Sequence, residues 1–300
     1  MHVSERRATV VAGVLVLLAI AGCASTTAPD VAVPTPDSGS VEAAASLSTH
    51  EYRAGVEAEV YLPEGVPPGP VPVAVTVPGG SWATADRTRL APLAEALASE
   101  GILVVNASYR TTTDHVLYPV PVQDVACAVS FAAQQAVGSG YSPEPLVVVG
   151  HSAGAHLAAL AALAPEEFAG DCPAPSVAPT GLVGLAGPYD PVAVERFAES
   201  LLGAPRSDAA EIWTSADPVR RAAARPELDV LLVHGDADRT VAPALSRGFA
   251  TALRDGGHGV TLSLLPDVDH MGVVVAADVT GPVIARWVRE RTPPTSGPAT

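Results

Sequence analysis

Lysine is absent from the sequence: all 17 basic residues are arginines, against 32 aspartates and glutamates. The formal net charge is therefore −15. A protein that binds nucleic acid needs a basic face that displaces counterions from the phosphates. The chain has an excess of negative charge instead, which excludes nucleic acid as a partner.

Charged residues and cysteines are also scarce, at 16% of the chain and three of 300 residues, whereas hydrophobic residues make up 48%. That much apolar material supports a sizeable core and is not typical of a disordered chain. No C-x-x-C pair, H-E-x-x-H, Walker loop or G-x-G-x-x-G fingerprint occurs. The sequence therefore implies no metal and no cofactor.

The N-terminal apolar run, Val10 to Ala21, has only 12 residues, whereas a membrane-spanning helix needs about 20. Arg6 and Arg7 precede the run, as in a secretory signal peptide. The run ends in Ile20-Ala21-Gly22-Cys23, which resembles the lipobox of bacterial lipoproteins, where the cysteine carries the lipid. The alternative is an ordinary secretory signal with a chance cysteine.

These features divide the chain into four expected parts. We expect a lipoprotein signal peptide over 1–22, a disordered tether over 23–47, a single α/β domain over 48–292 and a flexible tail over 293–300. Lipidation of Cys23 would place the exported domain on the outer side of the bacterial cell membrane, because two or more acyl chains anchor a protein stably.

Short runs rich in Val, Ile and Leu alternate with segments of helical periodicity. The predicted strands are Val56–Leu62, Val71–Val77, Ile102–Asn106, Leu146–Val149, Leu182–Leu185, Val230–Val233 and Val260–Leu265. The predicted helices are Thr88–Glu100, Val120–Val137, Ala153–Ala164, Val192–Leu202, Pro243–Gly256 and Met271–Arg291. This alternation predicts a doubly wound, mostly parallel sheet flanked by helices, with its functional residues at the carboxyl ends of the strands.

One strand end carries the pattern G-x-S-x-G. Gly150-His151-Ser152-Ala153-Gly154 follows a predicted strand directly and precedes a predicted helix. This strand–turn–helix setting is typical of a nucleophile elbow, in which the serine hydroxyl is held above the sheet edge. Ser152 is the candidate nucleophile, and the alternative is a glycine-rich packing turn.

A nucleophilic serine needs a base, and His270 follows the last predicted strand. His258 precedes that strand, so it would lie at the opposite edge of the sheet. His156, inside the helix after Ser152, is expected to pack or to form hydrogen bonds. His151 would shape the elbow, and His234 would form hydrogen bonds within the turn that follows it.

The base in turn needs an orienting carboxylate. Asp236 and Asp238 both follow the strand Val230–Val233 and both could reach the imidazole. The stretch from His234 to Val241 resembles hydrolases with the pattern His-Gly-x-x-Asp-x-x-Val, in which the Asp belongs to the triad. This favours Asp238 and leaves Asp236 as the alternative. The chain order Ser152, Asp238, His270 is that of α/β-hydrolases.

An oxyanion hole is expected after the strand Val71–Val77, where Pro78-Gly79-Gly80-Ser81 follows. Small residues there let backbone N–H groups approach a tetrahedral oxygen, and the N–H of Ala153 would complete the set. Gly79, Gly80, Ser81 and Ala153 are the candidates, and which pair donates is left open. The alternative is a plain Gly-Gly turn.

Together these sites resemble the α/β-hydrolase fold, and within it the esterase/lipase branch related to hormone-sensitive lipase and the bacterial feruloyl-esterase-like carboxylesterases. The resemblance covers about residues 56–290. It includes Asn106–Arg110 and Tyr118–Val125, in which the family implies structural roles for Arg110 and Asp124 as braces of the elbow. The family's oxyanion segment usually begins His-Gly-Gly-Gly, whereas here it begins with Pro78, whose fixed φ could stiffen the loop instead.

The family also implies a cap over the segment 187–224. Its large residues, Tyr189, Phe197, Ile212 and Trp213, would either line an acyl or alcohol pocket or form the core of the cap.

We therefore expect a serine hydrolase that cleaves carboxylic esters, with short acyl chains, through an acyl-enzyme. A small-molecule ester would be its partner. The same triad would also serve an amidase, an aryl formamidase or a peptidase. A catalytically silent binding lipoprotein is the remaining hypothesis, which the intact set of triad residues argues against.

Export also bears on Cys127 and Cys172, because disulfides persist in oxidising compartments. Cys127 lies on the helix that enters the nucleophile strand, and Cys172 follows the nucleophile helix. Consecutive right-handed crossovers pack side by side on one face of a sheet. We therefore expect a disulfide between them, with two separate buried thiols as the alternative.

Overall fold

The computed structural model describes residues 46–63, 65–275 and 277–293. The expected signal peptide, the lipidation site Cys23 and residues 23–45 of the expected tether lie outside the described residues, as do residues 294–300 of the tail. In the described part of the chain, no helix is both long and apolar enough to span a membrane.

In the described part of the chain, eight strands form a single sheet. They are β1 (Ser46–Arg53), β2 (Val56–Leu62), β3 (Gly69–Val77), β4 (Leu103–Ala107), β5 (Tyr141–His151), β6 (Gly181–Leu185), β7 (Asp229–Gly235) and β8 (Val260–Leu265). Their order in space is β1-β2-β4-β3-β5-β6-β7-β8. β1 and β2 run antiparallel at one edge, and the strands from β4 to β8 are parallel. The predicted doubly wound sheet is confirmed.

Eight α-helices accompany the strands in the residues that the structure describes. They are α1 (Ala91–Ser99), α2 (Val120–Gly138), α3 (Ala153–Leu163), α4 (Glu195–Leu202), α5 (Ala210–Ser215), α6 (Pro243–Asp255), α7 (Gly272–Val275) and α8 (Ala277–Arg289), with Ala276 undescribed between the last two. Helices α2, α3 and α6 pack on one face of the sheet, and α1, α7 and α8 pack on the other. The central strands are therefore buried on both faces, which explains their almost continuous apolar sequences.

Strand β1 and the region of helix α1 differ from the sequence prediction. Strand β1 was not predicted, and its first two residues, Ser46 and Leu47, fall in the segment assigned to the tether. Most of β1 is exposed, so it lacks the apolar pattern that identifies a strand, and its ladder with β2 holds it in the sheet. The predicted helix Thr88–Glu100 is divided into a 3₁₀-helix, Arg87–Leu90, and α1.

Asp124, fully buried on α2, joins this helix to the segment after β4. Its carboxylate accepts hydrogen bonds from the backbone N–H of Arg110 at 2.9 Å and from that guanidinium at 2.9 and 2.7 Å, and Arg53 lies 3.3 Å away. Burying a carboxylate is unfavourable unless it is paired, and these donors satisfy it. The pair therefore fixes the first turns of α2 to the end of β4. Within the described residues, it makes no hydrogen bond to Ser152.

The predicted disulfide between Cys127 and Cys172 is present, with its Cα atoms 5.3 Å apart. Cys127 lies buried on α2, and Cys172 lies in the segment between α3 and β6. The bridge therefore joins the two crossovers that enter and leave the strand–turn–helix around Ser152.

Candidate active site

Ser152 sits in a sharp turn between β5 and α3, with a φ of 51°. A non-glycine residue rarely adopts this conformation, so the surrounding structure must hold it in place. The flanking glycines show how tight the turn is. A Cβ at Gly150 would overlap the backbone of Gly154, and a Cβ at Gly154 would overlap the carbonyl oxygen of Val77. The G-x-S-x-G spacing is thus a consequence of backbone crowding.

The structure brings Ser152, His270 and Asp238 together. The Nε2 atom of His270 lies 2.9 Å from the Oγ of Ser152, and its Nδ1 lies 2.7 Å from an oxygen of Asp238. An ionised carboxylate only accepts hydrogen bonds, so Nδ1 carries the proton and Nε2 accepts the serine hydroxyl. This is the arrangement in which an imidazole can take the proton of an attacking serine.

The Asp238 carboxylate is buried and accepts four hydrogen bonds. Its Oδ1 accepts the backbone N–H groups of Thr240 and Val241 at 2.8 and 2.9 Å. Its Oδ2 lies between two imidazoles, those of His270 and of His234, the latter at 3.1 Å. Burial by itself would raise the pKa of Asp238, but the hydrogen bonds from Val241 and His270 outweigh it and hold the pKa below its usual value. Asp238 is therefore ionised at neutral pH.

His234 is fully buried and links Asp238 to α6. Its Nδ1 lies 2.7 Å from the Oγ of Ser246, and its Nε2 also lies 3.0 Å from the carbonyl oxygen of Val241. Burial lowers the pKa of His234, so the ring is neutral and donates from Nε2. Sequence reasoning placed His234 in this turn but missed Ser246, whose position becomes informative only once α6 packs beside β7.

Asp236, the alternative acid, has a different partner. Its carboxylate accepts the backbone N–H of Asp267 at 2.7 Å and is exposed. It therefore ties the turn after β7 to the loop that carries His270, and it makes no hydrogen bond to an imidazole among the described residues.

Three other histidines lie where the sequence placed them. The buried Nδ1 of His258 is 3.0 Å from the carbonyl oxygen of Leu228, before β7. His156 donates to the carbonyl oxygen of Ala216 at 2.7 Å. His151 packs against the His270 ring, with centroids 4.9 Å apart, and donates to the His270 carbonyl oxygen at 3.1 Å. Burial, aided by the neighbouring His270, lowers the pKa of His151 to about 4, so this ring stays neutral.

The loop after β3 lies against the elbow. A Cβ at Gly79 would come within 2.8 Å of the Ser152 Cβ, and Gly80 adopts a φ of 141°. Ser81 follows with a φ of 52°. Within the described residues, the N–H groups of Gly80, Ser81 and Ala153 have no hydrogen-bond acceptor. They are free to bind an oxygen beside Ser152, as an oxyanion hole requires.

Tyr109 holds the loop after β3 in place by a hydrogen bond to its first residue. Its buried hydroxyl donates to the carbonyl oxygen of Pro78 at 3.1 Å. The sequence suggested that the fixed φ of Pro78 replaces the family's histidine. The tyrosine adds a tether from the segment after β4, which only the folded structure reveals.

Two recesses border Ser152. One, of about 50 Å³, is largely apolar. It is lined by Ser81, Trp82, Ser152, Ala153, Pro188, Val194, Phe197, Thr240 and Val241. The other, of about 150 Å³, has the more polar lining of the two, contains His270 and is called the polar recess below. It is lined by Gly79, Gly80, Ser81, Arg89, His151, Ser152, Thr240, His270 and Met271.

The four large residues of the expected cap could serve as pocket residues or as core residues, and the structure places them differently. Phe197 lines the apolar recess while 57% of its side chain stays exposed. Tyr189 is instead buried and stacks on Phe249, with ring centroids 4.3 Å apart. Trp213 is buried and donates to the carbonyl oxygen of Ala204 at 2.9 Å. Ile212 is partly exposed and lines neither recess. Of the two roles that the sequence left open, Phe197 thus takes that of a pocket residue, and Tyr189 and Trp213 take that of core residues. Ile212 takes neither role.

Across residues 46–63, 65–275 and 277–293, no group of three or more His, Cys, Asp or Glu side chains converges as metal ligands would.

The family model named BD-FAE matches residues 58–253. Among curated proteins, the chain is 31% identical over 242 residues to Esterase LipQ of Mycobacterium tuberculosis, covering 76% of this chain and 55% of that protein. It is 28% identical over 241 residues to the probable isoprenylcysteine alpha-carbonyl methylesterase ICMEL1 of Oryza sativa subsp. japonica, covering 74% and 56%. The chain thus spans about half the length of these relatives.

Solved structures resemble the fold at lower sequence identity. A truncated carbohydrate esterase from gut microbiota superposes with a TM-score of 0.73 at 17% identity, covering 84% of this chain and 98% of that one. A thermophilic esterase from Thermogutta terrifontis gives a TM-score of 0.67 at 20% identity, covering 86% and 96%. These similarities confirm the predicted α/β-hydrolase fold.

Proposed function

The chain belongs to the BD-FAE family, and we propose that it is a carboxylesterase in which Ser152, His270 and Asp238 form the catalytic triad. The observation that carries the proposal is the unbroken hydrogen-bonded row from the Ser152 hydroxyl through His270 to the ionised Asp238. Backbone N–H groups without acceptors lie beside Ser152, and both recesses border it. Every part that acyl transfer needs therefore lies within one site.

In the acylation step, Ser152 attacks the ester carbonyl carbon while its proton passes to Nε2 of His270. Asp238 holds the ring by Nδ1 and stabilises the imidazolium that forms. The carbonyl oxygen gains negative charge and is bound by N–H groups from Gly80, Ser81 and Ala153. Each such donor typically lowers the barrier by about 3 kcal/mol. His270 then gives its proton to the leaving alcohol, and Ser152 keeps the acyl group.

In the deacylation step, water takes the position of the alcohol. His270 accepts a proton from the water, the hydroxide attacks the acyl carbon, and the proton returns to the Ser152 oxygen as the acid leaves. His151, neutral at working pH, packs against the other ring without adding a charge that would oppose the imidazolium.

The apolar recess argues for short acyl groups. Its volume of about 50 Å³ holds a few carbon atoms, and the half-exposed Phe197 forms part of its wall. Longer chains would have to extend past this side chain into water, where they gain less from burial.

Hydrolysis of nitrophenyl esters from acetate to decanoate by the purified chain tests this proposal, with nitroanilides of the same acids as matched amides. We expect kcat/KM to be highest for two to four carbons and at least about 100-fold lower for the amides, whose leaving group is poorer. Comparable rates on the amides would point to an amidase, and no turnover of any substrate would point to a binding protein.

We further propose that the mature chain begins at Cys23 and is held by lipid at the outer side of the cell membrane. The support is the sequence alone: the short apolar segment after Arg6 and Arg7 and the lipobox-like ending Ile20–Cys23.

Expression of the full chain in a bacterium that processes lipoproteins tests this location. The protein is expected in the membrane fraction, and Cys23→Ser is expected to block lipidation and processing at that site. Ser38→Ala is a suitable control, since it changes a residue of the expected tether outside the lipobox and leaves all three cysteines in place. Recovery of mature, soluble protein with Cys23 intact would contradict the proposal.

A further inference from the structure

Arg89 brings a positive charge to the polar recess beside Ser152. It lies in the 3₁₀-helix Arg87–Leu90, which follows the loop after β3 that contains Gly79, Gly80 and Ser81. Among the described residues that line this recess, Arg89 is the only permanently charged one, and none is a carboxylate. In a chain of net charge −15, an arginine at this position is not explained by a generally basic surface.

The guanidinium retains free donors. Asp86 forms a loose, exposed ion pair with Arg89 through Nε, with its Oδ2 at 3.7 Å, too far for a hydrogen bond. The other oxygen of Asp86 accepts the backbone N–H and the hydroxyl of Thr88 at 3.1 and 2.6 Å. In the part of the chain that the structure describes, neither terminal nitrogen of Arg89 has an acceptor. The edge of the guanidinium that best fits a carboxylate is therefore unoccupied.

The chemistry of the triad indicates which part of an ester enters this recess. His270 must hand its proton to the leaving alcohol, so the alcohol lies on the side of the imidazole. That side is the polar recess, which contains both His270 and Arg89. The apolar recess, which contains Ala153 and Phe197 but not His270, is left for the acyl chain.

We propose that Arg89 makes the enzyme selective for esters whose alcohol portion carries a carboxylate. This inference rests on the proposed esterase function and adds the class of substrate. The guanidinium binds the carboxylate on the leaving-group side, and the alcohol departs with its negative charge still paired. Arg89 acts by binding the alcohol portion and takes no part in proton transfer.

Four acetyl esters, with and without a charge on the leaving group, test this proposal: acetoxybenzoate and acetoxybenzamide, each as the meta and para isomers. The measured quantity is the ratio of kcat/KM for the carboxylate over the amide. We expect Arg89→Gln to lower this ratio about tenfold, as for a charge-assisted hydrogen bond at a half-exposed site, and Arg89→Glu to lower it further. Added salt should lower the ratio in the native enzyme and leave it nearly constant in Arg89→Gln.

Two other exposed arginines serve as controls. Arg239 follows Asp238 in the chain but lines neither recess, and Arg247 lies on α6. Substituting Gln at either position should leave the ratio unchanged. An unchanged ratio in Arg89→Gln, or an equal loss in either control, would overturn this inference while leaving the esterase function intact. Failure to cleave any of the esters would instead overturn the proposed function itself.

Discussion

Replacing Ser152 with alanine is expected to lower kcat for ester hydrolysis by roughly 10⁵- to 10⁶-fold, and His270→Ala by a similar factor. Asp238→Asn should lower kcat by roughly 10⁴-fold, since the oxyanion hole and a less well oriented imidazole still act. The three effects should not add, because the side chains act as a unit. Steady-state kinetics with a short-chain nitrophenyl ester measures all three.

Asp236→Asn is the matched control for the acid. An asparagine Oδ1 can still accept the N–H of Asp267, so the loop that carries His270 keeps its support. We expect this variant to retain most of its activity. If it were the damaging change and Asp238→Asn were benign, the assignment of the acid would be wrong. A fluorophosphonate probe should label Ser152, and labelling of another residue would refute the nucleophile.

Of all the variants proposed, the one without the disulfide should lose the most free energy of unfolding. The bridge joins residues 45 positions apart, and the loop-entropy model gives about 4 kcal/mol for a span of that length. The double variant Cys127→Ala, Cys172→Ala is expected to lose about this much free energy of unfolding in urea. Triad geometry should survive in the folded state, since neither cysteine lines a recess.

Thiol titration of the denatured, non-reduced chain checks that the bridge forms. In a Cys23→Ser background, no free thiol is expected. The further variant Cys172→Ala should expose one thiol, that of Cys127, and so calibrates the assay. Two free thiols in the Cys23→Ser background would refute the bridge.

Much of the fold could be predicted from the sequence because the central strands are buried on both faces. Residues 146–149, within the buried part of β5, are apolar throughout, and such a run is visible without a structure. Strand β1 was missed for the opposite reason. Of its residues only Tyr52 is buried, so little of the strand requires an apolar side chain and backbone pairing with β2 places it.

The site could be predicted where backbone geometry restricts the sequence. The elbow at Ser152 has room only for glycine at positions 150 and 154, and His270 is identified by its place after the last strand. The links from Tyr109 to Pro78 and from Ser246 to His234 could not be predicted, because each joins elements that meet only through packing. Tyr189 and Trp213 show the same limit: composition does not reveal which face of a cap points inward.

The close approach of the loop after β3 to the elbow has a consequence for how substrate specificity could change. Gly79 lies against the Cβ of Ser152, and Gly154 lies against the carbonyl oxygens of Val77 and Pro78, so neither position has room for a larger residue. A substitution at either glycine therefore cannot change the distance between the loop and the turn at Ser152 in small steps. We expect selection to remove most such substitutions. Phe197 and Arg89, by contrast, line the recesses while more than half of each stays exposed, so a new side chain there meets little resistance from its neighbours. Evolutionary change in specificity should accordingly accumulate at such positions, while the proposed triad and the loop beside it are inherited unaltered.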